Sequence, residues 1–116
     1  MSVSKWMRNA VYDRDGWVCV ACGTLRDLTI HHRVNRGSGG SKMYDNYAHL
    51  LTICSPCNTA FESDAAYREL ALVYGWKILR NTKPPIDPTK VAVKYAEGNW
   101  YFLDNQGNRT LIPNGK

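Results

Sequence analysis

The sequence predicts a small α+β domain stapled by a metal, and three patterns predict it. Four cysteines stand as two Cys-x-x-Cys pairs, Cys19/Cys22 and Cys54/Cys57, a set that can supply a closed tetrahedral zinc site. Helical patterning flanks the pairs at residues 4–13 and 58–74. Short runs rich in apolar and aromatic residues, separated by turns with Gly and Asn, fill the last quarter of the chain. At 116 residues the domain buries only a modest core. A structural zinc contributes on the order of 10 kcal/mol to folding, comparable with the whole net stability of a small domain.

The elements follow in order. Residues 4–13 read as a short helix with Trp6, Met7, Ala10 and Val11 as its apolar stripe and Ser2 or Ser4 as its cap. Asp15-Gly16 ends it, and the first knuckle follows as Cys19-Val20-Ala21-Cys22-Gly23. Residues 28–34 form a short strand that carries His31-His32. Residues 35–45 have no apolar period and form a loop. Leu50, Leu51 and Ile53 lead, as buried residues, into the second knuckle. A helix is expected from about Asn58 to Tyr74, with Phe61, Ala65, Leu70 and Val73 toward a core and Gly75 at the C′ position. Pro84-Pro85 punctuates the chain. Strands at 91–96 and 100–103 then pair around Glu97-Gly98-Asn99, and a turn at 105–108 leads to a third strand at 109–112. We divide the chain into a core over 1–75 and a β appendage over 76–116, packed together as one domain.

The formal net charge is +5. Seven basic against five acidic residues give +2 over 1–63, and eight against five give +3 over 64–116. This spread charge permits a polyanionic partner without identifying one. Lys5 and Arg8 are followed by no apolar signal region, and no run reaches membrane-spanning length. A cytoplasmic protein with no membrane partner is therefore expected. Reduced cysteines then favour metal over disulfides.

Between Cys22 and Cys54 lie positions 23–53, longer than the usual spacer of about 15–20 residues in a zinc ribbon. This insert carries His31, His32 and His49. Adjacent residues of a regular strand point to opposite faces, so both members of the histidine pair serve one site only if the chain leaves strand geometry there. Asn58 follows Cys57 directly, so a metal at Cys57 would aim it from the first helical turn, with Glu62 on the same face four residues on. A histidine from the strand and an amide or carboxylate oxygen from this helix could grip a divalent ion. The plainer readings are a helix cap for Asn58 and a solvated first-turn acid for Glu62. Arg33, Arg36 and the loop Gly37-Ser38-Gly39-Gly40-Ser41 read as a substrate-facing rim able to hold a phosphate.

The run Arg14-Asp15-Gly16-Trp17-Val18-Cys19-Val20-Ala21-Cys22-Gly23, then His31-His32-Arg33, Gly39-Gly40-Ser41, Leu50-Leu51-Thr52-Ile53-Cys54 and Cys57-Asn58, resembles the HNH endonucleases. The His-His-Arg, Gly-Gly-Ser and Glu62-Ser63 elements are similar to those of the small HNH proteins of tailed bacteriophages. The resemblance covers roughly residues 13–63. It implies a ββα-metal core, with the N-terminal helix and the C-terminal meander as additions. It assigns His31 as a ligand of a catalytic divalent ion, His32 as general base and Asn58 as the second ligand, with Glu62 as a further candidate. The four-cysteine zinc would be structural. The nitrogen–oxygen ligand pair suits Mn²⁺, Ni²⁺ or Co²⁺ at least as well as Mg²⁺. The motif's middle asparagine is replaced by His49, with Asn46 three residues earlier. Either His49 orients the base, or Asn46 reaches in, or activity is impaired.

The function so implied is metal-dependent hydrolysis of DNA phosphodiester bonds, by nicking or double-strand cutting. The phage resemblance implies DNA processing or packaging, a large terminase as candidate partner, and the host cytoplasm as compartment. The main alternative is a zinc-stabilised DNA-binding or packaging accessory whose nuclease site has decayed. A pure protein-interaction zinc module gives neither the histidine pair nor the placement of Asn58 a role.

Overall fold

In the computed structural model, which describes residues 3–34 and 44–113, the centre is an antiparallel strand pair that runs into a helix. Strand β1 (Leu28–His32) pairs with β2 (Leu50–Cys54) from Leu28 opposite Cys54 to His32 opposite Leu50. All five residues of β2 are buried, because both of its faces are covered. Leu51 and Ile53 join the main core, whereas Leu50 packs with Val3, Val11 and Met7 of the N-terminal segment. Helix α2 (Ser55–Ser63) starts directly after β2, with Pro56 in its first turn, where a missing N–H costs nothing.

Helix α1 (Lys5–Arg14) begins at Ser4, whose hydroxyl accepts the Met7 N–H. Its inward stripe is Met7 and Val11, while Trp6 is 78% exposed. Arg14 donates to the carbonyls of Tyr47 and Leu50 and pairs with Asp15. The buried Asp15 carboxylate also accepts the Thr52 N–H and the Tyr95 hydroxyl. Two adjacent charged residues thus tie α1 to β2 and to the C-terminal sheet.

The single helix expected over 58–74 is two helices. Asp64 leaves helical geometry (φ −118°, ψ 111°), and its carboxylate caps α3 (Ala65–Val73) by accepting the Ala66 and Tyr67 N–H groups. This is the competition that makes Asp a helix starter. The break turns Ala71 and Tyr67 toward the core, and leaves Ala65, Leu70 and Val73 exposed. Strands β3 (Val93–Lys94), β4 (Trp100–Leu103) and β5 (Arg109–Ile112) form an antiparallel meander. Strand β3 is shorter than the expected 91–96. A 3₁₀ turn at Pro88–Lys90 precedes it, and the Val91 carbonyl is taken by Arg33.

One core joins Cys19, Phe61, Trp76, Tyr95, Tyr101 and Leu103, so residues from both sides of position 75 share it. Among the described residues, no helix is long and apolar enough to cross a membrane.

Candidate metal and histidine site

The four cysteines are unpaired thiols that converge. Their sulfurs all lie within 4.8 Å of one another, and Cys22 Sγ and Cys54 Sγ are 3.8 Å apart. A tetrahedral site with Zn–S of about 2.3 Å has edges of about 3.8 Å, so the cluster can hold an ion such as zinc. The first knuckle is shaped by Gly23 N–H bonding to the Cys19 carbonyl, with Gly23 at φ 84°. The second is set by the β2–α2 junction. Cys57 Sγ shares a 3.3 Å hydrogen bond with the Tyr67 hydroxyl. Burial pushes the Cys54 and Cys57 thiols up, so metal loading must displace protons from them. Four thiolates leave no open position, so such a site is structural.

His31 is buried, with its ring 5.1 Å from that of Phe61. Its Nε2 donates to the Trp76 carbonyl at 2.8 Å, which leaves Nδ1 with the lone pair. Asn58, in the first turn of α2, lies near enough for its side chain to act on this ring. Burial pushes the His31 pKa down to about 4, and the charges of Lys77 and His32 act in the same direction. The ring is therefore neutral at pH 7, the form that binds metal. Glu62 lies near enough to feel His31, and its carboxylate accepts from Lys77 Nζ at 2.9 Å. That bond is the main reason its pKa is lowered. Asn58, Glu62, Thr29 and Ser55 line an open depression. The structure thus places Asn58 and Glu62 on one depression with His31 buried near them, and Lys77 already at the carboxylate.

His32 takes a different partner. Its Nε2 lies 2.8 Å from Asp45 Oδ1, so the carboxylate accepts and Nδ1 is left as the acceptor nitrogen. Strand β1 stays regular through His32, so the expected departure from strand geometry does not occur at the pair. Asn46 and His49 prove to be bonded to each other, with His49 Nδ1 donating to Asn46 Oδ1 at 2.7 Å. Burial pushes the His49 pKa down to about 4, helped by Arg33 and His32. The group that holds His32 is Asp45, which the motif reading passes over. The signal for it is compositional: Asp45 is the sole carboxylate between the histidine pair and the second knuckle.

Arg33 requires a correction. It was expected on a rim facing DNA, yet it is fully buried. Its guanidinium donates to the carbonyls of Gly75, Ala48, Pro88 and Val91. Burial and the neighbouring Arg14 push its pKa down to about 9, which still leaves it charged at neutral pH. No N–H of this fork is offered to solvent in a way that would reach a phosphate. Arg36 and the glycine-rich loop 37–41 lie outside the described residues. Neither a protein-family model, nor a curated protein, nor a solved structure matches the chain.

Proposed function

We propose that the protein is a metal-dependent DNA endonuclease of the HNH kind. What supports this reading is one arrangement: a buried neutral His31 with Asn58 near it, in the first turn of a helix that begins at the cysteine cluster. His31 through Nδ1 and Asn58 through its amide oxygen would hold the divalent ion, with Glu62 joining once Lys77 is released. When bound, the ion supplies Lewis-acid stabilisation of the charge that develops on the phosphate. His32 accepts a proton from the attacking water at Nδ1, and Asp45 fixes the tautomer and ring orientation that this requires. The resemblance adds a setting in phage DNA processing or packaging, with a terminase as partner and the host cytoplasm as compartment.

Two observations favour the second reading, a DNA-binding accessory with a decayed site: β1 stays regular through His32, which sends the two histidine rings to opposite faces of the strand, and the Lys77 ammonium already holds the Glu62 carboxylate. A plasmid-nicking assay with Mg²⁺, Mn²⁺, Ni²⁺ and Co²⁺ separates the two. The wild-type protein should nick, with the softer ions at least as effective as Mg²⁺. His32→Ala should lose about 10²–10⁴-fold with zinc content unchanged. A wild-type protein inert with all four ions would leave the accessory reading standing.

A further inference from the structure

Beside His49 the protein has a cleft of about 540 Å³, within the size range of pockets that take small molecules or their fragments. Val34, Tyr44 and His49 form one wall, and the segment 79–86 forms the other. That segment presents Pro84, Pro85 and Ile86 as apolar surface, with Arg80 and Lys83 among them. Among the described residues neither cation has a carboxylate partner. Arg80 instead lies over the Tyr44 ring, 5.9 Å from its centroid. The acid that follows the segment, Asp87, bonds to Thr89. Thr82 Oγ1, in the same wall, is the buried side-chain polar atom among the described residues that has no hydrogen-bond partner. Tyr44 immediately precedes Asp45, the residue that holds His32.

We propose that this cleft receives an unpaired nucleoside of the DNA strand next to the phosphate being cut. The base would lie against Tyr44 and the proline wall, and Arg80 and Lys83 would take the adjoining phosphates. The chemistry matches on both counts. Unpaired cations attract a phosphodiester, and an aromatic ring in an apolar cleft stacks on a base face without regard to sequence. In a duplex that face is already stacked, so a nucleoside enters only where the strand is unpaired or the base is extruded. The substrate class is therefore DNA with single-stranded character at the cut, such as a flap, gap or frayed end. The position beside the cut rests on the nuclease reading; the cleft as a strand-binding site does not.

The test is fluorescence anisotropy with a labelled single-stranded oligonucleotide and its duplex counterpart, with no divalent ion added so that nothing is cleaved. The single strand should bind several-fold tighter than the duplex. Arg80→Ala/Lys83→Ala should weaken single-strand binding about tenfold or more, and flatten its salt dependence by roughly 0.7 per lost phosphate contact. Tyr44→Ala should weaken it about fivefold or more, whereas Tyr44→Phe, which keeps the stacking face, should bind as wild type does. Loss in Tyr44→Phe as well, or equal binding of duplex and single strand, overturns the proposal. If the wild-type protein cleaves neither plasmid nor a flapped or gapped duplex with any of the four ions, yet binds single strands through these residues, the nuclease reading falls and the cleft stands. If it nicks while the Arg80/Lys83 and Tyr44→Ala variants bind as wild type does, the cleft proposal falls alone.

Discussion

Four carbonyl oxygens converge on the Arg33 guanidinium, from residues 15, 42, 55 and 58 positions away along the chain. Its own backbone adds two ties, N–H to the His49 carbonyl and C=O to the Ile78 N–H. Charge-assisted hydrogen bonds of this kind are each worth about 1.5–3 kcal/mol when buried. Arg33→Met keeps the bulk and removes every donor, so it should lower stability by about 3–5 kcal/mol, read as a shift in the urea midpoint. Arg33→Lys should recover only part, because an ammonium cannot reproduce the planar fork. A Met variant within about 0.5 kcal/mol of wild type would mean that water satisfies those carbonyls. In the sequence this arginine sits between a histidine pair and a glycine-rich loop, where it reads as a phosphate ligand. Its partners are all remote, so no local pattern marks it as buried. The same holds for Asp45, whose role depends on a loop returning to His32. The cysteine cluster was legible, because the spacing within each pair and the strand–helix junction bring the four sulfurs together.

At the scale of elements, the sequence pattern places α1, β1 and the meander to within a few residues, while β2 reads there only as buried residues leading into the second knuckle. The break at Asp64 was missed because an apolar period continues through it; only the capping carboxylate marks the end of one helix and the start of the next. Gly75 was legible as a helix terminator and does more than that. It sits at φ 79°, and a Cβ there would lie 2.0 Å from the Ala92 carbonyl oxygen. Its own carbonyl accepts from Arg33. Gly98 is a natural control, since it also has positive φ but nothing within 4 Å of an added Cβ. Gly98→Ala should cost about 1 kcal/mol of backbone strain. Gly75→Ala should cost at least about 2 kcal/mol, because the backbone of two elements must separate. Thermal melts of the two variants measure the difference, and equal melting temperatures would show that the α3–β3 contact yields freely.

Two features of the whole molecule bear on its stability: four cysteines close enough to hold one ion and two histidines kept neutral by burial. Chelation at neutral pH should unfold the protein or leave it loosened, since the cluster joins the first knuckle to the β2–α2 junction. Acid acts through a separate route. His31 and His49 have folded pKa values of about 4, against about 6.5 in the unfolded chain. Between those values the unfolded chain binds more protons, so their contribution is complete above about pH 6.5 and is lost as pH falls toward 4. Each group adds a slope of up to about 1.4 kcal/mol per pH unit, and His49 less than His31 because it borders the cleft. Zinc release in acid would steepen the same curve, so the measurement pairs urea melts from pH 7.5 to 4.5 with a zinc-sensitive dye. His31→Gln and His49→Gln cannot titrate, and each should flatten the stability slope between pH 6.5 and 4.5 while zinc leaves at the same pH as in wild type. Wild-type slopes in both variants would assign acid sensitivity to the thiolates alone.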